Sequence, residues 1–345
     1  MTPEVGANLR HSRYDGFRAT IRTVGTGVRG SRALTFEEAR EAMTGLLAGE
    51  VSDAQAGAFL IAMRIKGEQP DELAGMAQAL RDAAPSVRAK LERPLVACAG
   101  AYDGASDAPH LSLAAGAAAA ACGAGVVMHC GDTLGPKYGT TVADVLAALG
   151  GPGRPTLVES RAMLERCGAC VVHVGVSLPG WSRLAALRDE IGLRGPVHSA
   201  EKLVDWFGAR RFVVGHTHGP YAERLVGALE RLGAECAVAV RGLEGSDVMR
   251  PGRPVAHQSG HSLELPELLG ARLRSAGGAE ESAWLTRVAL SGEGDDLLAH
   301  TVALSAGLRL YAAGLAPDPL RGARQAREAL RDGCAAATLS ALLAG

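Results

Sequence analysis

The sequence predicts an α/β protein with a small N-terminal helical bundle and a larger α/β domain built on a mainly parallel sheet. Before residue 90, apolar residues recur at helical spacing behind capping boxes. After residue 94, short apolar runs alternate with amphipathic segments, and this alternation is typical of a parallel sheet whose faces are covered by helices. We therefore assign one domain to residues 1–90 and a second to residues 91–345.

Composition is that of an ordinary soluble globular protein. The 345 residues are 47% hydrophobic and 21% charged, so the chain can bury a substantial core. A net charge of -1 and an aromatic content of 4% argue against general binding of nucleic acid. We expect a cytoplasmic protein without membrane contact, because residues 1–22 lack a signal-peptide core and no window reaches the roughly 18 apolar residues of a membrane helix. Seven cysteines, an odd number, indicate reduced thiols.

The predicted N-terminal helices are marked by their ends. Capping boxes begin at Thr35 and Ser52, Gly49 ends the first helix and Pro70 opens the third. Their small and apolar residues are Ala56, Ala58, Phe59, Ala62, Met63, Leu73, Met76 and Leu80. A bundle of this size is poor at burying all of them, which predicts a homodimer formed through residues 30–90.

The second domain is predicted to continue the alternation to residue 240. Strands are expected at residues 95–99, 125–129, 169–174, 211–214 and 237–240. Helices are expected from about residue 112 and at residues 159–166, 181–191 and 221–232. Residues 251–283 are interpreted as irregular, with one helix around residues 263–274, and two helices at residues 295–311 and 320–332 close the chain.

The loops that leave the first two strands hold the unusual residues. Gly100 and Gly104 flank Asp103 after the first strand, and Ser112 opens an alanine-rich helix. Carboxyl ends of parallel strands are where open sheets bind ligands, and glycine loops with helix N-termini suit anions. A phosphate site is therefore expected here. The Gly-x-Gly-x-x-Gly spelling at residues 25–30 lacks a strand-helix-strand context and is interpreted as a loop.

Several motifs resemble the anthranilate phosphoribosyltransferase family, also called glycosyltransferase family 3. The alanine-rich helix ends Ala121-Cys122-Gly123, and residues 143–150 read Ala-Asp-Val-Leu-Ala-Ala-Leu-Gly, as in that family. Residues 46–68 and the closing helices are also similar, so the resemblance covers about residues 25–345. It implies the fold of nucleoside phosphorylases and class II phosphoribosyltransferases. It also implies a phosphoribosyl diphosphate (PRPP) donor, an aromatic amine or acid acceptor, Mg²⁺ and a dimer.

The resemblance assigns donor-binding residues one by one. The family's glycine loop maps onto Gly100, Asp103 and Gly104, with Tyr102 in place of a glycine. His110 and Ser112 fall on its Asn-Ile-Ser-Thr segment, where Ser112 has equal claims as a phosphate donor and as a helix cap. His129 is what remains of Lys-His-Gly-Asn-Arg, whose two cations are absent here. Lys137 echoes the lysine of Lys-Ser-Gly-Ser, or is a solvated loop residue.

The metal and acceptor sites map less completely. Asp247 matches the first carboxylate of the family's Asp-Glu magnesium pair, Val248 replaces the second, and Glu244 is close enough to contribute. Arg188 falls on the arginine that meets the anthranilate carboxylate, or is a helix-surface residue. His198 stands where the family has asparagine.

Two hypotheses follow for function. The first is a transferase that moves a sugar-phosphate group from a PRPP-type donor to an aromatic amine or acid, diverged from the family's usual reaction. The second rests on residues 192–199, Gly-Leu-Arg-Gly-Pro-Val-His-Ser, which resemble a subfamily thought to be non-catalytic and to bind nucleic acid. The Cys167-x-x-Cys170 and His216-x-His218 pairs lack the context of redox or metal sites and are interpreted as structural.

Overall fold

Four helices form the N-terminal bundle. The computed structural model describes residues 15–267, 271–273 and 277–344. The bundle comprises α1 (Phe17–Gly25), α2 (Phe36–Ala48), α3 (Asp53–Lys66) and α4 (Pro70–Ala83). Both predicted capping boxes form, and Gly49 takes the left-handed conformation that ends α2. Helix α1 was not predicted from the sequence. It ends at Gly25, so residues 25–30 form a turn and not a nucleotide loop.

The predicted parallel sheet is confirmed. Its strands are β1 (Leu95–Ala99), β2 (Gly125–Cys130), β3 (Ala169–His173), β4 (Arg211–Gly215), β5 (Cys236–Val240), β6 (Ala256–Gln258) and β7 (His261–Ser262). The order is β3-β2-β1-β4-β5-β6-β7, with β1 to β5 parallel and the last two strands antiparallel. From β1 the chain adds β2 and β3 on one side of the sheet, and from β4 it adds β5 on the other side. The topological switch point therefore lies between the neighbouring strands β1 and β4.

Helices cover the sheet and fill the space between it and the bundle. They are α5 (Ser112–Ala121), α6 (Val142–Ala148), α7 (Leu157–Cys167), α8 (Val174–Ser177), α9 (Trp181–Ile191), α10 (Pro196–Ala200), α11 (Pro220–Arg231), α12 (Gly278–Leu290), α13 (Asp296–Ala312), α14 (Pro319–Arg331) and α15 (Cys334–Leu343). Helix α5 is central: its first nine residues are all buried, because alanine side chains let α13 and α15 pack close to it. A side chain at Gly116 would lie 2.6 Å from the Met128 sulfur, so the helix also contacts β2 closely.

The segment after β5 differs from the prediction. The helix expected around residues 263–274 is not formed by residues 263–267 or 271–273, and the remaining positions lie outside the described residues. Residues 256–262 instead form an antiparallel hairpin that turns at Ser259 and Gly260, both with positive φ. Leu263 and Leu265 then pack on the core from an extended chain that Pro266 keeps from being helical. Helix α12 begins inside the region interpreted as irregular, and a third closing helix, α15, follows the two that are predicted.

The large apolar residues of the bundle are covered by the chain itself, so they supply no surface for the predicted dimer. Phe59, Met63, Leu73, Met76 and Leu80 are fully buried within a single chain. Phe17 of α1 covers Phe59 with ring centroids 5.2 Å apart, and α9 to α11 cover the other side of the bundle. Arg81 reinforces this contact by donating to the Leu203 carbonyl at 2.7 Å. These five side chains therefore leave no apolar remainder for a second chain to cover.

Two further predictions from composition can be compared with the structure. All seven cysteines are unpaired, and burial raises the pKa of the Cys98 and Cys130 thiols to about 12, as expected of inert core thiols. Cys167 and Cys170 are likewise buried, and their thiol pKa values are raised. In the described part of the chain, no helix combines the length and apolar character required to cross a membrane.

The contact between α2 and α4 gives a stability prediction. A Cβ at Gly75 would lie 2.1 Å from the Phe36 carbonyl oxygen, whereas a Cβ at Gly57, also inside a helix, would meet nothing within 4 Å. We expect Gly75→Ala to lower the free energy of unfolding by about 2 kcal/mol or more. Gly57→Ala should raise it by about 0.5–1 kcal/mol through helix propensity. Urea denaturation of both variants measures this, and equal effects would contradict the close helix contact.

Candidate active site at the switch point

A cavity of about 560 Å³ lies between the helical bundle and the carboxyl ends of β1 and β4. Helix α3 contributes Arg64, and the rest of the wall comes from loops and helices of the α/β domain. Its polar lining residues are Arg64, Asp103, Arg194, His198, Ser199, Lys202, His216, Thr217, His218, Tyr221 and Glu244. The cavity therefore lies where open α/β sheets bind ligands. Of the residues predicted from the sequence, Asp103, His198 and Glu244 line it.

The glycine loop after β1 is packed against protein backbone. Gly104 has φ +73°, and a Cβ there would lie 2.3 Å from the Gly139 carbonyl. A Cβ at Gly100 would lie 3.2 Å from the Asp247 amide nitrogen. Ala105 and Thr140 exchange backbone hydrogen bonds beside this contact, at 2.9 and 2.8 Å. In this structure the two glycines allow loops to approach each other closely, which is a different use from the predicted approach to a diphosphate.

Asp103 connects three loops of the site. Its carboxylate accepts two hydrogen bonds from Arg194, at 3.0 and 2.5 Å, and lies 3.8 Å from the Lys137 amine. Lys137 donates to the Gly104 carbonyl at 2.6 Å and to the Glu244 carboxylate at 3.2 Å. The carboxylate of Asp103 is almost completely buried, so this pairing offsets the cost of its burial. Lys137 is thus an internal ion-pair partner and not a solvated loop residue.

Glu244 is held tightly in an unusual backbone conformation. It has φ 49°, and its carboxylate accepts hydrogen bonds from the amides of Ser106 and Asp107, at 3.1 and 2.7 Å. Burial alone raises the pKa of the Glu244 carboxyl, but these amides and the charge of Lys137 bring it below its ordinary value. Glu244 is therefore ionised, and its negative charge is already balanced by Lys137 and the two backbone amides.

Arg188, the predicted partner of the acceptor carboxylate, is enclosed. Its guanidinium lies 4.4 Å from the Tyr102 ring centre and 5.0 Å from that of Trp181, and donates to Glu201 at 3.0 Å. Its Nε donates to Nε2 of His198 at 3.2 Å, and the Tyr102 and His198 rings are in contact. Burial, with the neighbouring charge of Arg188, lowers the pKa of His198 far below its ordinary value. One Arg188 nitrogen, Nη2, has no hydrogen-bond partner in the described structure.

Asp247, the predicted magnesium ligand, is buried behind the cavity. One carboxylate oxygen accepts a hydrogen bond from Ser112, and the other pairs with the buried Arg309 at 2.5 Å. Because both oxygens are engaged and Glu244 is separately neutralised, these two residues do not fit a magnesium ion as arranged. No group of three or more histidine, cysteine, aspartate or glutamate residues in the described structure could hold a metal ion. Ser112 acts neither as a helix cap nor on the cavity wall here.

The two remaining predicted histidines are also buried away from the cavity wall. His129 lies edge-on to Trp206 with ring centroids 6.4 Å apart. Burial, helped by the charge of Lys202, lowers the pKa of His129 to about 4. His110 has no hydrogen-bond partner at Nδ1 among the described residues, and burial lowers its pKa. Both imidazoles are therefore neutral near pH 7.

Comparison with known proteins shows the family. Residues 18–84 match the helical bundle domain, and residues 103–336 the a/b domain, of a glycosyl transferase family. The chain is 35% identical over 314 residues to anthranilate phosphoribosyltransferase of Thermus thermophilus, covering 87% of this chain and 92% of that protein. The chain belongs to the anthranilate phosphoribosyltransferase family. This confirms the predicted fold and the predicted enzyme class, a glycosyltransferase.

Solved structures agree with this membership. The crystal structure of anthranilate phosphoribosyltransferase from Thermus thermophilus matches with a TM-score of 0.81 and 34% identity, covering 90% of this chain and 95% of that one. The enzyme from Saccharomyces cerevisiae in complex with PRPP and Mg has a TM-score of 0.78 at 14% identity, a likeness of fold. That comparison covers 95% of this chain and 96% of the yeast chain. In the present chain, the carboxylates at the expected family positions, Asp103, Glu244 and Asp247, form ion pairs with the protein's own lysine and arginine side chains.

Sequence reasoning missed the cations that line the cavity. Arg64 belongs to the bundle, Arg194 lies six residues beyond the predicted Arg188, and Lys202 directly follows Glu201 in a segment without a predicted element. Lys202 donates to the Gly215 carbonyl at 2.7 Å. Burial lowers the pKa of Lys202 to about 8, although the charges of Glu201 and Asp103 oppose the shift. A polar run directly after a strand, as at residues 216–218, is the signal that could have located this wall.

Lys202 makes anion binding in the cavity pH dependent. The ammonium is charged below about pH 8 and loses its proton as the pH rises through that value, because burial, together with the charge of Arg194, outweighs the opposing fields of the nearby carboxylates. We expect sulfate affinity to fall about tenfold across this transition. Calorimetric titration with sulfate measures it, since the charge of sulfate is constant in this range. Lys202→Arg should bind sulfate equally on both sides of pH 8, and a wild-type affinity that does not change would contradict the assignment.

Proposed function

We propose that this protein transfers a sugar-phosphate group from a PRPP-type donor to an aromatic amine or acid, with the donor bound in the switch-point cavity. The observation that carries this proposal is the set of cations, Arg64, Arg194 and Lys202, that lines a cavity at the carboxyl ends of β1 and β4. Family membership supports the reaction class, and the volume of about 560 Å³ is within the range of small-molecule sites.

The reaction is a displacement at the anomeric carbon. A diphosphate departs with its bonding electron pair, and the amine nitrogen of the acceptor forms the new bond and loses its proton. Positive charge that is fixed before the reaction stabilises the departing anion, because the surroundings need no rearrangement as its charge develops. Lys202 is suited to this part, since its amine is buried, lies in the cavity wall and makes no ion pair with the described carboxylates. Arg194 is shared with Asp103 and contributes less free charge.

Divergence from the usual family reaction is part of the proposal. Protein cations occupy the places beside Asp103, Glu244 and Asp247, so the site meets the donor with lysine and arginine instead of a metal held by carboxylates. Tyr102 also fills space in the glycine loop and contacts His198. We therefore expect one of two departures from the usual family reaction. Either the diphosphate of the donor makes fewer contacts here than the diphosphate of PRPP makes in a glycine-rich loop, or the acceptor is not anthranilate.

The proposal is tested by release of pyrophosphate. With PRPP and a panel of aromatic amines and acids, including anthranilate, the wild-type protein should release pyrophosphate in the presence of at least one acceptor. Lys202→Met should reduce that rate at least about tenfold, because a charged contact to the leaving group is lost. Lys90→Met is the matched control, since Lys90 is exposed and is not a residue of the cavity wall.

Two outcomes would count against this function. If calorimetry detects no heat with millimolar PRPP, with or without Mg²⁺, the donor is not PRPP. If the same protein shifts a single-stranded oligonucleotide at low salt while releasing no pyrophosphate with any acceptor, the non-catalytic nucleic-acid-binding alternative is favoured. A shift that disappears with modest added salt is expected of such phosphate contacts.

We also propose a homodimer formed through residues 30–90, on the exposed face of α3, which includes Ala58 of the residues considered above but none of the large buried ones. Ala54, Ala58, Ile61 and Ile65 follow one another at helical spacing on α3. Ile65 is 81% exposed, both alanines are exposed and Ile61 is half-buried. A self-complementary contact of two α3 helices would cover this apolar stripe.

The dimer prediction uses Ile65→Glu. We expect light scattering to give twice the chain mass of 35.5 kDa for the wild type and 35.5 kDa for the variant, because a charge on the stripe opposes its burial. Val158→Glu, at a 65% exposed site on α7, is the control and should remain dimeric. A wild-type mass of one chain at micromolar concentration would contradict the dimer.

A further inference from the structure

His216 is a residue of the cavity wall with a buried, unpartnered ring nitrogen. Its side chain follows the last residue of β4, is almost completely buried and forms part of the cavity wall. The Nε2 atom has no hydrogen-bond partner in the described structure. An unpaired buried polar atom is costly, so a native protein normally supplies it with a partner. Here the missing partner can come from the cavity.

The other ring nitrogen determines what that partner must be. Nδ1 of His216 lies 3.1 Å from the His218 carbonyl oxygen. A carbonyl can only accept, so Nδ1 carries the proton and donates it. Burial, helped by the charge of Lys202, lowers the pKa of His216 to about 4, which agrees with a neutral ring. Nε2 is therefore a lone-pair acceptor, and the group that it binds must be a hydrogen-bond donor.

Lys202 supplies the complementary requirement in the same wall. Its amine bonds to the carbonyl of Gly215, the residue immediately before His216. Among the described residues this amine makes one hydrogen bond and no ion pair. An ammonium has three donors, so Lys202 has donors left for an anion. The wall thus offers a cation for an anionic group and, beside it, an acceptor for a neutral donor.

We propose that His216 is a specificity-determining residue that accepts a hydrogen bond from a sugar hydroxyl of a ligand whose phosphate is bound by Lys202. This inference rests on the proposed function and narrows it to donors that carry a free hydroxyl near the phosphate. A phosphate oxygen without a proton would be repelled by the Nε2 lone pair. Sulfate, which carries no proton near pH 7, therefore gains from Lys202 alone, and a phosphorylated sugar gains from both residues.

The test compares ligands that contain one or both groups. Ribose 5-phosphate, sulfate and ribose are titrated calorimetrically into the full-length protein at neutral pH. Ribose 5-phosphate should bind more tightly than sulfate, and ribose more weakly than either. His216→Phe should weaken ribose 5-phosphate about 3- to 10-fold, the loss of one neutral hydrogen bond, and leave sulfate unchanged. His216→Gln, whose amide oxygen is an acceptor, should restore most of the loss.

Lys202→Met supplies the opposite pattern, because it should weaken both anionic ligands, ribose 5-phosphate and sulfate, about 10-fold or more. The exposed His261→Phe is the matched histidine control and should bind like the wild type. A measurement without substitution guards against misfolded variants: in protein labelled with ¹⁵N-histidine, ribose 5-phosphate should shift the His216 Nε2 resonance and sulfate should not. Each variant's thermal melt is recorded beside its titration.

Three results would overturn the inference. Unchanged binding of ribose 5-phosphate by a folded His216→Phe variant would mean that a water molecule satisfies Nε2. An equal loss for sulfate and ribose 5-phosphate would mean that His216 acts through Lys202. A shift of the Nε2 resonance by an aromatic amine and not by the sugar phosphate would assign the contact to the acceptor. Failure of the proposed transfer is distinguishable, because it appears as absent pyrophosphate release while ribose 5-phosphate still distinguishes His216→Phe from the wild type.

Discussion

Neutralisation of Asp103 is the interaction on which the candidate site depends. Asp103 follows β1, Arg194 lies between α9 and α10, and Lys137 lies in the loop after β2, so one buried carboxylate joins three segments that are distant in the chain. A buried carboxylate without such partners would be strongly destabilising. Glu244 joins the same group through Lys137. The position of each cavity wall is therefore coupled to charge pairing at the carboxyl edge of the sheet.

Charge pairing at this edge changes what the cavity offers a ligand. Lysine and arginine side chains form ion pairs with the carboxylates at the expected magnesium positions, while Lys202 makes no ion pair with the described residues. The chain has the fold of its family, and this unpaired charge lies beside the end of β4 and not in the glycine loop. A ligand in this cavity meets a lysine and a neutral histidine acceptor, a pair that suits a phosphate and a hydroxyl on one molecule. The enclosed Arg188 is part of the scaffold that supports this wall.

Particular residues show how far the site could be predicted from the sequence. Asp103, His198 and Glu244 do line the cavity, because each belongs to a motif that maps onto a loop or helix start at the carboxyl edge. Ser112 and Asp247 occupy the chain positions that the family motifs predict. The Asp247 carboxylate is nevertheless enclosed, because Arg309, 62 residues further along the chain, pairs with it. Burial of the bundle's apolar face similarly depends on α1 and on helices contributed by the second domain. Neither Arg309 nor these covering helices can be inferred from the local sequence around the residues that they cover.

The sequence by itself determined the five parallel strands and their alternation with helices, the capping boxes that begin α2 and α3, and the family, but not α1 or α15. These features are local, because capping, periodicity and motif spacing act within a few residues of each other. Tertiary structure alone decided that β1 and β4 are neighbours, and hence that residues near 102, 202 and 216 share one cavity. It also decided which charges are engaged in ion pairs and which remain free. The physical reason is that strand order and charge pairing are settled by the packing of the whole chain, whereas no short segment contains the residues that compete for each carboxylate.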